Sequence, residues 1–167
     1  MYMGHYAIAL GARRWLQPLP LGWLLFASIE PDMHDVIGNA IPAFSIGPDT
    51  HTILGVTASA LVTAAVTAVV FRRLTLALGA GLLVLSHVGV DYLTSCLPAW
   101  RDGPKLGLHL YAHPLADFLL EAALIASCLF LYDTCSDLRR PARYGLLAMG
   151  ALMVGAQAVF NFGLGSR

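Results

Sequence analysis

The chain has 167 residues with ten basic and ten acidic side chains, so its formal net charge at pH 7 is zero. Its composition is 57% hydrophobic and only 12% charged, with a mean hydropathy of +0.69, whereas a soluble globular domain carries roughly 25% charged residues. The balanced charge and the lack of a basic cluster argue against a nucleic-acid partner. The three cysteines, Cys96, Cys128 and Cys135, have no CxxC spacing and predict neither a disulfide framework nor a zinc knot.

The first two apolar runs, residues 4–15 and 19–30, are each too short to cross a bilayer and are separated by a turn with two prolines. Runs of roughly 10–14 apolar residues are typical of re-entrant or interfacial segments. We therefore predict an N-terminal helical hairpin over residues 1–35. A loop over residues 36–52, rich in Gly, Pro and Asn, is expected to follow it.

Four later segments are long enough to span a membrane, residues 53–71, 74–94, 114–131 and 144–166. The first carries no charge, and its length at about 1.5 Å per residue corresponds to about 28 Å, close to the roughly 30 Å hydrocarbon core of a bilayer. A helix of a soluble bundle would show a polar stripe, and the first and last of these segments show none. The sequence therefore predicts an all-α, polytopic membrane helix bundle in a single domain over residues 1–167. It would have four transmembrane helices and the N-terminal hairpin.

The placement of arginine predicts the orientation of the bundle, because cytoplasmic loops carry an excess of Lys and Arg. Five arginines lie in the loops that follow the first and third spans, namely Arg72, Arg73, Arg139, Arg140 and Arg143. The loop between the second and third spans holds only Arg101 and Lys105. We therefore predict that the arginine-rich side is cytoplasmic and that the other side faces the periplasm or the exterior.

Two stretches, His87-Val-Gly-Val-Asp91 and His113-Pro-Leu-Ala-Asp117, place a histidine four residues before an aspartate inside apolar sequence. On a helix, positions i and i+4 share a face with Cβ atoms about 5–6 Å apart, so each pair can bind one metal ion. Polar residues at membrane depth are costly and therefore mark candidate functional sites. His87 and Asp91 could instead hydrogen-bond each other across one turn, but this alternative does not explain why the pair is repeated.

The predicted topology brings further polar residues to the same side, because the hairpin returns Asp32 to the level of His5 and because His51 precedes the first span. The candidate metal ligands are His5, Asp32, His51, His87, Asp91, His113 and Asp117. Imidazole and carboxylate ligands suit zinc, iron or manganese, and seven exceed the three or four that one zinc ion needs. The set therefore predicts a divalent metal, with zinc preferred, and room for two or three ions. Alternatively, His5 and His51 are interfacial histidines and Asp32 caps a helix that begins near Met33.

Other polar residues on this side are assigned secondary roles. Glu121 and Asp35 are the candidate catalytic carboxylates, although Glu121 could also be an outer ligand and Asp35 a simple loop residue. Arg101, Lys105 and His109 are candidate substrate-binding residues, since the two cations would meet an anionic headgroup or phosphate. The alternative for these three residues is a solvated loop.

Four short motifs follow one another along the chain, Gly4-His5-Tyr-Ala-Ile-Ala, Glu30-Pro31-Asp32, Thr50-His51-Thr52 and Ser86-His87-Val-Gly-Val-Asp91. Their order and spacing resemble those of a family of inner-membrane metal-dependent hydrolases, one member of which is regulated by the SOS repressor. They are more distantly similar to zinc-dependent phospholipase C and its nuclease relatives, in which an early His, an Asp, a His, an HxxxD and a final HxxxE hold three zinc ions. His113-Pro-Leu-Ala-Asp117 would stand in the place of that last motif. The resemblance covers roughly residues 4–121, leaves the last span uncovered, and implies a hydrolase without naming its substrate.

Two positions depart from the pattern of the membrane family. A second aspartate usually follows the first after two residues, and here that position is His34, with Asp35 beside it. The basic, histidine-containing segment that commonly precedes the Thr-His pair is replaced by Ser45-Ile-Gly-Pro-Asp49. The first loop is therefore expected to bind its metal or substrate differently.

We expect a membrane-embedded metal-dependent hydrolase in which water activated by the metal attacks a phosphoester of a membrane lipid or lipid-linked substrate at the outer face. A serine hydrolase is not expected, because the sequence has no G-x-S-x-G elbow and the carboxylates would be left unexplained. The main alternative is a non-catalytic membrane subunit, in a larger complex or a homo-oligomer, whose histidines bind a metal or a pigment. The repeated His-x-x-x-Asp pairs argue against it, because axial histidines of pigments usually lack acidic partners. A transporter would have polar sites distributed across the thickness of the membrane, whereas the polar residues of this chain are predicted to cluster at one level.

Overall fold

The structure is a computed structural model that describes residues 3–41 and 50–164, and within them it has six α-helices and one short β-hairpin. The helices are α1 (Gly4–Ala12), α2 (Leu21–Ala40), α3 (Ile53–Phe71), α4 (Leu74–Thr94), α5 (Pro114–Cys135) and α6 (Arg140–Ala158). A π-helical segment, Val159–Leu164, continues α6. Between α4 and α5, strands β1 (Leu97–Pro98) and β2 (Lys105–Leu106) pair in antiparallel fashion, and a 3₁₀ turn, Leu110–Ala112, follows.

Helices α3 to α6 are each long and apolar enough to cross a membrane, which confirms the predicted all-α membrane bundle. Their exposed faces are apolar, as Leu61, Leu82 and Leu152 illustrate with 65–75% of their surface accessible. In water such faces would cost free energy, roughly 25 cal/mol for each Å² exposed, but they suit contact with lipid. Residues 165–166 of the predicted last span lie outside the described part of the chain.

The bounds of α3 and α4 agree with the prediction, whereas α5 and α6 extend toward each other beyond their apolar segments. Helix α5 runs past residue 131 to Cys135, and α6 begins at Arg140, four residues before the predicted start. Arg143 Nε donates to Asp133 Oδ1 across this turn at 2.8 Å, and a proline in the first turn of α6 is pre-set for helix. Hydropathy marks only the lipid-facing length, so these polar helix ends were missed.

The N-terminal hairpin is formed by α1 and α2, but α2 continues to Ala40, past residue 35 where the loop was predicted to begin. Proline normally ends a helix because it lacks an N–H, and Pro31 lies inside α2. The helix continues across Pro31, where His34 Nε2 contacts Glu30 Oε1 at 2.8 Å, one turn apart. Asp32 is therefore not a helix cap but an interior helix residue. Most of the predicted loop, residues 42–49, lies outside the described residues.

Helix α1 is held inside the bundle between the hairpin partner α2 and the spans α4 and α5. Its buried residues are Gly4, His5, Ala7, Ala9, Leu10 and Gly11. The approach to α5 is close, since a Cβ added at Gly11 would lie 3.0 Å from Cys128 Sγ. Packing on the other side joins α1 and α2 to α3 and α4 in one core, with Leu24, Ala80 and Val84 fully buried.

Hydrogen bonds identify the residues at each end of the bundle. At one end Arg14 Nη1 donates to Thr134 Oγ1 at 3.1 Å, which places the α1–α2 turn beside the end of α5. Trp23 Nε1, at the start of α2, donates to Thr67 Oγ1 near the end of α3 at 3.0 Å. Arg13 and Arg14 therefore join the end at which the five loop arginines are predicted. At the opposite end the Ile53 amide, at the start of α3, donates to the Ala99 carbonyl of the β-hairpin loop at 3.0 Å.

Candidate metal centre

His87 lies at the centre of a buried polar cluster at the end of the bundle away from the arginines. Its Nδ1 atom is 2.7 Å from the backbone carbonyl oxygen of Ser28 on α2. A carbonyl oxygen only accepts, so Nδ1 carries the proton and donates, which leaves the Nε2 lone pair as an acceptor. Metal-binding histidines are commonly oriented in this way by a carbonyl behind the ring.

The Nε2 atom of His87 faces two carboxylate oxygens, Asp32 Oδ1 and Asp91 Oδ2, each at 3.3 Å. Nε2 is buried and makes no hydrogen bond among the described residues. A lone pair that faces two anionic acceptors is repelled unless a cation lies between them. Two donors bound to one tetrahedral zinc ion at about 2.0–2.2 Å are separated by about 3.4 Å, which matches these distances.

His5 brings α1 into the same cluster. Its ring stacks on that of His87, with centroids 3.7 Å apart and an interplanar angle of 16°. His5 Nε2 lies 3.2 Å from Asp91 Oδ1, so the two oxygens of Asp91 face different histidines. Ser28 Oγ donates to the carbonyl oxygen of His5 and so fixes the first turn of α1 against α2. Ser28 therefore contacts both stacked histidines, one through its side chain and the other through its backbone.

His51 approaches from the segment that precedes α3. Its Nε2 atom lies 3.2 Å from Asp32 Oδ1 and 3.7 Å from Asp91 Oδ2, while Nδ1 lies 2.9 Å from Asp35 Oδ2. Thr50 Oγ1 donates to the other oxygen of Asp35 at 2.5 Å. The next residue, Thr52, caps α3 by accepting from the Gly55 amide at 3.1 Å, which fixes the backbone directly after His51.

Five of the seven predicted ligands thus converge in two overlapping groups. One group is His5, His87 and Asp91, and the other is Asp32, His51 and His87. In each group one ligand atom per residue lies within 4.8 Å of the others. Imidazole nitrogen and carboxylate oxygen are the donors that zinc, iron and manganese share, so the residues present fit such an ion.

The electrostatics of the cluster favour positive charge. Burial acts to raise the pKa of Asp32, but contacts with His51 and His87 outweigh it and hold that pKa well below its ordinary value. Burial acts to lower the pKa of His51, but the hydrogen bond to Asp32 and the charges of Asp35 and Asp91 raise it on balance. Burial lowers the pKa of His5, so its imidazole is neutral at pH 7 and suited to ligation. The Asp32 side chain is 52% exposed and forms the open side of the cluster.

The second predicted pair, His113 and Asp117, does not join either ligand group among the described residues. The reason is local, because the i, i+4 rule requires both residues to be helical and His113 is the non-helical residue before α5 begins at Pro114. His113 is exposed, whereas Asp117 is fully buried and its Oδ2 accepts from Asn161 Nδ2 at 2.7 Å. Asp117 belongs to a different polar cluster.

This second cluster lies between α5 and α6. Asn161, in the π-helical segment, donates to Asp117 and also to the Pro114 carbonyl at 3.1 Å, and it accepts from Gln157 Nε2 at 2.5 Å. Glu121, one turn after Asp117, is also fully buried. The candidate catalytic residue Glu121 is thus placed with Asp117 and outside the two ligand groups.

The candidate substrate-binding residues lie on the surface at the same end of the bundle as the histidines. Arg101 is in the turn of the β-hairpin, Lys105 is in β2, and His109 precedes the 3₁₀ turn with a left-handed backbone, φ 53°. All three are exposed. The Ala99 carbonyl of the hairpin loop accepts from the Ile53 amide at the start of α3, and Ile53 follows His51 by two residues in the chain.

The sequence did not reveal the residues that orient the candidate ligands, above all Ser28 and Thr50. Ser28 contributes a backbone carbonyl, which no sequence pattern reveals. The one available signal was its position four residues before Asp32 on α2, since both then share a helix face. Gln157 and Asn161 have the same spacing in the last span and were likewise not singled out.

Comparison with known proteins adds no family assignment. No protein-family model, curated protein or solved structure matches the chain significantly. The function therefore has to be argued from the geometry of the site.

Proposed function

We propose that the protein is a membrane-embedded metal-dependent hydrolase that cleaves a phosphoester of a lipid or lipid-linked substrate. The observation that carries the proposal is the position of the Asp91 carboxylate, because one of its oxygens faces His5 and the other faces His87. Each oxygen of Asp91 would hold an ion together with one of these histidines. Paired ions are typical of enzymes that displace a phosphoester, because they clamp the attacking and the leaving oxygens.

In this proposal His5, His87, Asp91, Asp32 and His51 hold one or two divalent ions, with zinc preferred. Such an ion would lower the pKa of a water molecule and would stabilise negative charge on the phosphoryl oxygens. The protein supplies ligand orientation, because Ser28 fixes the tautomer of His87. Asp35 does the same for His51, since it contacts Nδ1 and so directs Nε2 toward the centre. We therefore assign Asp35 as a positioning residue and not as the catalytic carboxylate that the sequence suggested.

The substrate class follows from where the centre lies. The ligands occupy the end of the four spans, and the half-exposed Asp32 leaves the centre open on one side. We propose that the arginine-rich end is cytoplasmic and that the centre faces the outer surface of a bacterial inner membrane. A phosphoester at that level is a lipid headgroup or the phosphate of a lipid-linked molecule. Arg101 and Lys105, exposed on the adjoining hairpin, are suited to an anionic headgroup.

A non-catalytic subunit that binds a pigment through its histidines is less well supported. The rings of His5 and His87 stack at 3.7 Å, which leaves no space for a flat macrocycle between them. The Nε2 atoms of His5 and His87 face Asp91. The Nε2 atom of a pigment ligand would instead face the metal that the macrocycle holds. The carboxylates have a role in binding free ions and none in binding a pigment.

The test is hydrolysis by the metal-loaded protein in detergent and in liposomes, with phospholipids, polyprenyl phosphates and an aryl phosphodiester as substrates. We expect slow turnover that a chelator abolishes and that His51→Ala loses. His113→Ala removes an exposed histidine near the same end that belongs to neither ligand group, so it is the matched control and should keep the reaction. Bound metal without turnover of any substrate would contradict the hydrolase proposal, and a co-purifying pigment would favour a non-catalytic subunit.

A further inference from the structure

An apolar groove of about 530 Å³ runs along α6, and its other sides are formed by α1, the first turns of α2 and the end of α5 with the turn that follows it. We propose that this groove binds the hydrocarbon chain of the amphiphilic molecule whose polar head lies at the candidate metal centre. The inference rests on the proposed function, because it names the part of the substrate that the metal ligands do not contact.

The groove and the centre both use residues of the first turn of α1. Met3 and Tyr6 line the groove, and between them in the sequence lies His5, whose Nε2 is 3.2 Å from Asp91. The same short helix therefore presents one face to the groove and another to the metal ligands. A molecule with its phosphate at Asp91 has its chain next to Met3 and Tyr6.

The length and direction of the groove suit one chain of a single leaflet. Its wall on α6 extends from Ala142 to Met153, a rise of about 16 Å at about 1.5 Å per residue. This is close to half of the roughly 30 Å hydrocarbon core. The wall lies within the membrane-spanning segment Arg140–Gly163, and the groove extends from the level of His5 toward the arginine-rich end. A lipid chain that enters from the surface at His5 runs in this direction.

The lining is adaptable and leaves space for an occupant. Three methionines, Met3, Met149 and Met153, line the groove, and flexible thioether side chains adjust to chains of different shape. A Cβ added at Gly145, also in the lining, would meet no atom within 4 Å. The volume lies in the range of roughly 300–1,000 Å³ that is typical of small-molecule pockets.

Photolabelling tests the groove without relying on catalysis. The probe is a single-chain phospholipid with a diazirine at the end of its chain, added to the purified full-length protein in detergent. We expect saturable labelling of Met149 and Met153. Leu152, which is 75% exposed on another face of α6, reports labelling by bulk lipid. Equal, unsaturable labelling of Leu152 and Met149 would overturn the proposal.

Two glycines of α6 provide a matched pair of variants. Gly145→Trp fills the groove and should lose the labelling of Met149 and Met153. Gly155→Trp adds the same side chain to the same helix, also into open space but outside the groove lining, and should keep it. Met149→Trp is a second filling variant in case Gly145→Trp does not fold. Unchanged labelling in a folded filling variant would overturn the proposal. A disulfide-linked dimer of Gly145→Cys would also overturn it, because this face would then contact a second copy of the chain.

The failure of this inference can be distinguished from that of the proposed function. If the filling variants lose labelling while metal-loaded wild type hydrolyses nothing, the groove stands and the hydrolase proposal fails. If wild type hydrolyses long-chain and aryl substrates, Gly145→Trp should raise KM for the long-chain substrate only. An equal KM in Gly145→Trp and wild type for both substrates would overturn the groove and leave the hydrolase proposal intact.

Discussion

The Nδ1 atom of His87 lies 2.7 Å from the carbonyl oxygen of Ser28, and this contact determines which nitrogen of the buried imidazole is available to a metal. Ser28 also donates from its hydroxyl to the carbonyl oxygen of His5. One residue on α2 thereby fixes two histidines that arrive from α1 and α4. The two functions of Ser28 are separable, because one uses the backbone and the other the side chain.

Ser28→Ala should therefore reduce stability and leave metal binding intact. The variant removes the hydroxyl that donates to the carbonyl of His5 but keeps the carbonyl that accepts from His87. We expect a loss of about 1 kcal/mol in the free energy of unfolding, as for one buried hydrogen bond. Chemical unfolding in detergent measures it, and Ser127→Ala is the control because Ser127 donates only within α5 on an exposed face. Loss of metal in Ser28→Ala would show that the hydroxyl and not the carbonyl orients the ligands.

Asp35→Ala should weaken metal binding without removing a ligand. Asp35 Oδ2 lies 2.9 Å from His51 Nδ1, so the variant frees the ring of His51 to rotate or change tautomer. Loss of such an orienting partner typically costs about 10–100-fold in metal affinity. Competition with a chromogenic chelator measures the affinity, and Asp35→Asn should rescue part of it because its amide oxygen still accepts. Asp133→Ala, which breaks an ion pair at the other end of the bundle, is the control. Equal affinity in Asp35→Ala and wild type would mean that Asp35 does not orient His51.

Asn161→Ala should destabilise the protein and leave its metal content unchanged. The variant removes the donor to the buried Asp117 Oδ2, whose partner oxygen Oδ1 has no hydrogen bond among the described residues. A buried acceptor without its donor costs about 1–3 kcal/mol, more if it is charged. Thermal unfolding and metal analysis on the same sample separate the two effects. A fall in metal content would return Asp117 to the ligand set that the sequence suggested.

The orientation of the bundle can be tested by labelling single cysteines in a background without Cys96, Cys128 and Cys135. Lys105→Cys lies on the β-hairpin at the end of the histidines, and Arg140→Cys lies at the start of α6 at the other end. We expect an impermeant thiol reagent added to intact cells to label Lys105→Cys only, and Arg140→Cys only after permeabilisation. Labelling of both from outside would contradict a four-span topology, and the reverse pattern would contradict the proposed orientation.

The spans were predictable because hydropathy and length determine them almost alone. Helices α3 and α4 begin and end where the apolar sequence does. The continuation of α2 across Pro31 was not predictable, because proline usually ends a helix. The contacts of this part of α2 come from a segment that is distant in sequence, as the hydrogen bond from Thr50 Oγ1 to Asp35 shows. In the same way His113 matched the spacing of a ligand, but the spacing rule fails one residue outside a helix.

The residues of the centre were predictable to the extent that costly polar groups in apolar sequence indicate function. That argument identified His87 and Asp91, and the hairpin added His5 and Asp32. It could not separate ligands from other buried polar residues, so Asp117 was grouped with the histidines although it bonds to Asn161. Ser28 was missed because its contribution to His87 is a backbone atom.

The most direct test of the central claim is the number of zinc equivalents that the purified protein retains after dialysis against a weak chelator. We expect at least one equivalent in wild type, loss in His87→Ala, and full retention in His113→Ala, which removes an exposed histidine outside both ligand groups. Circular dichroism would confirm that the variants remain helical. Wild type without zinc, iron or manganese, or a folded His87→Ala variant that retains as much metal as wild type, would contradict the claim that these residues form a metal centre.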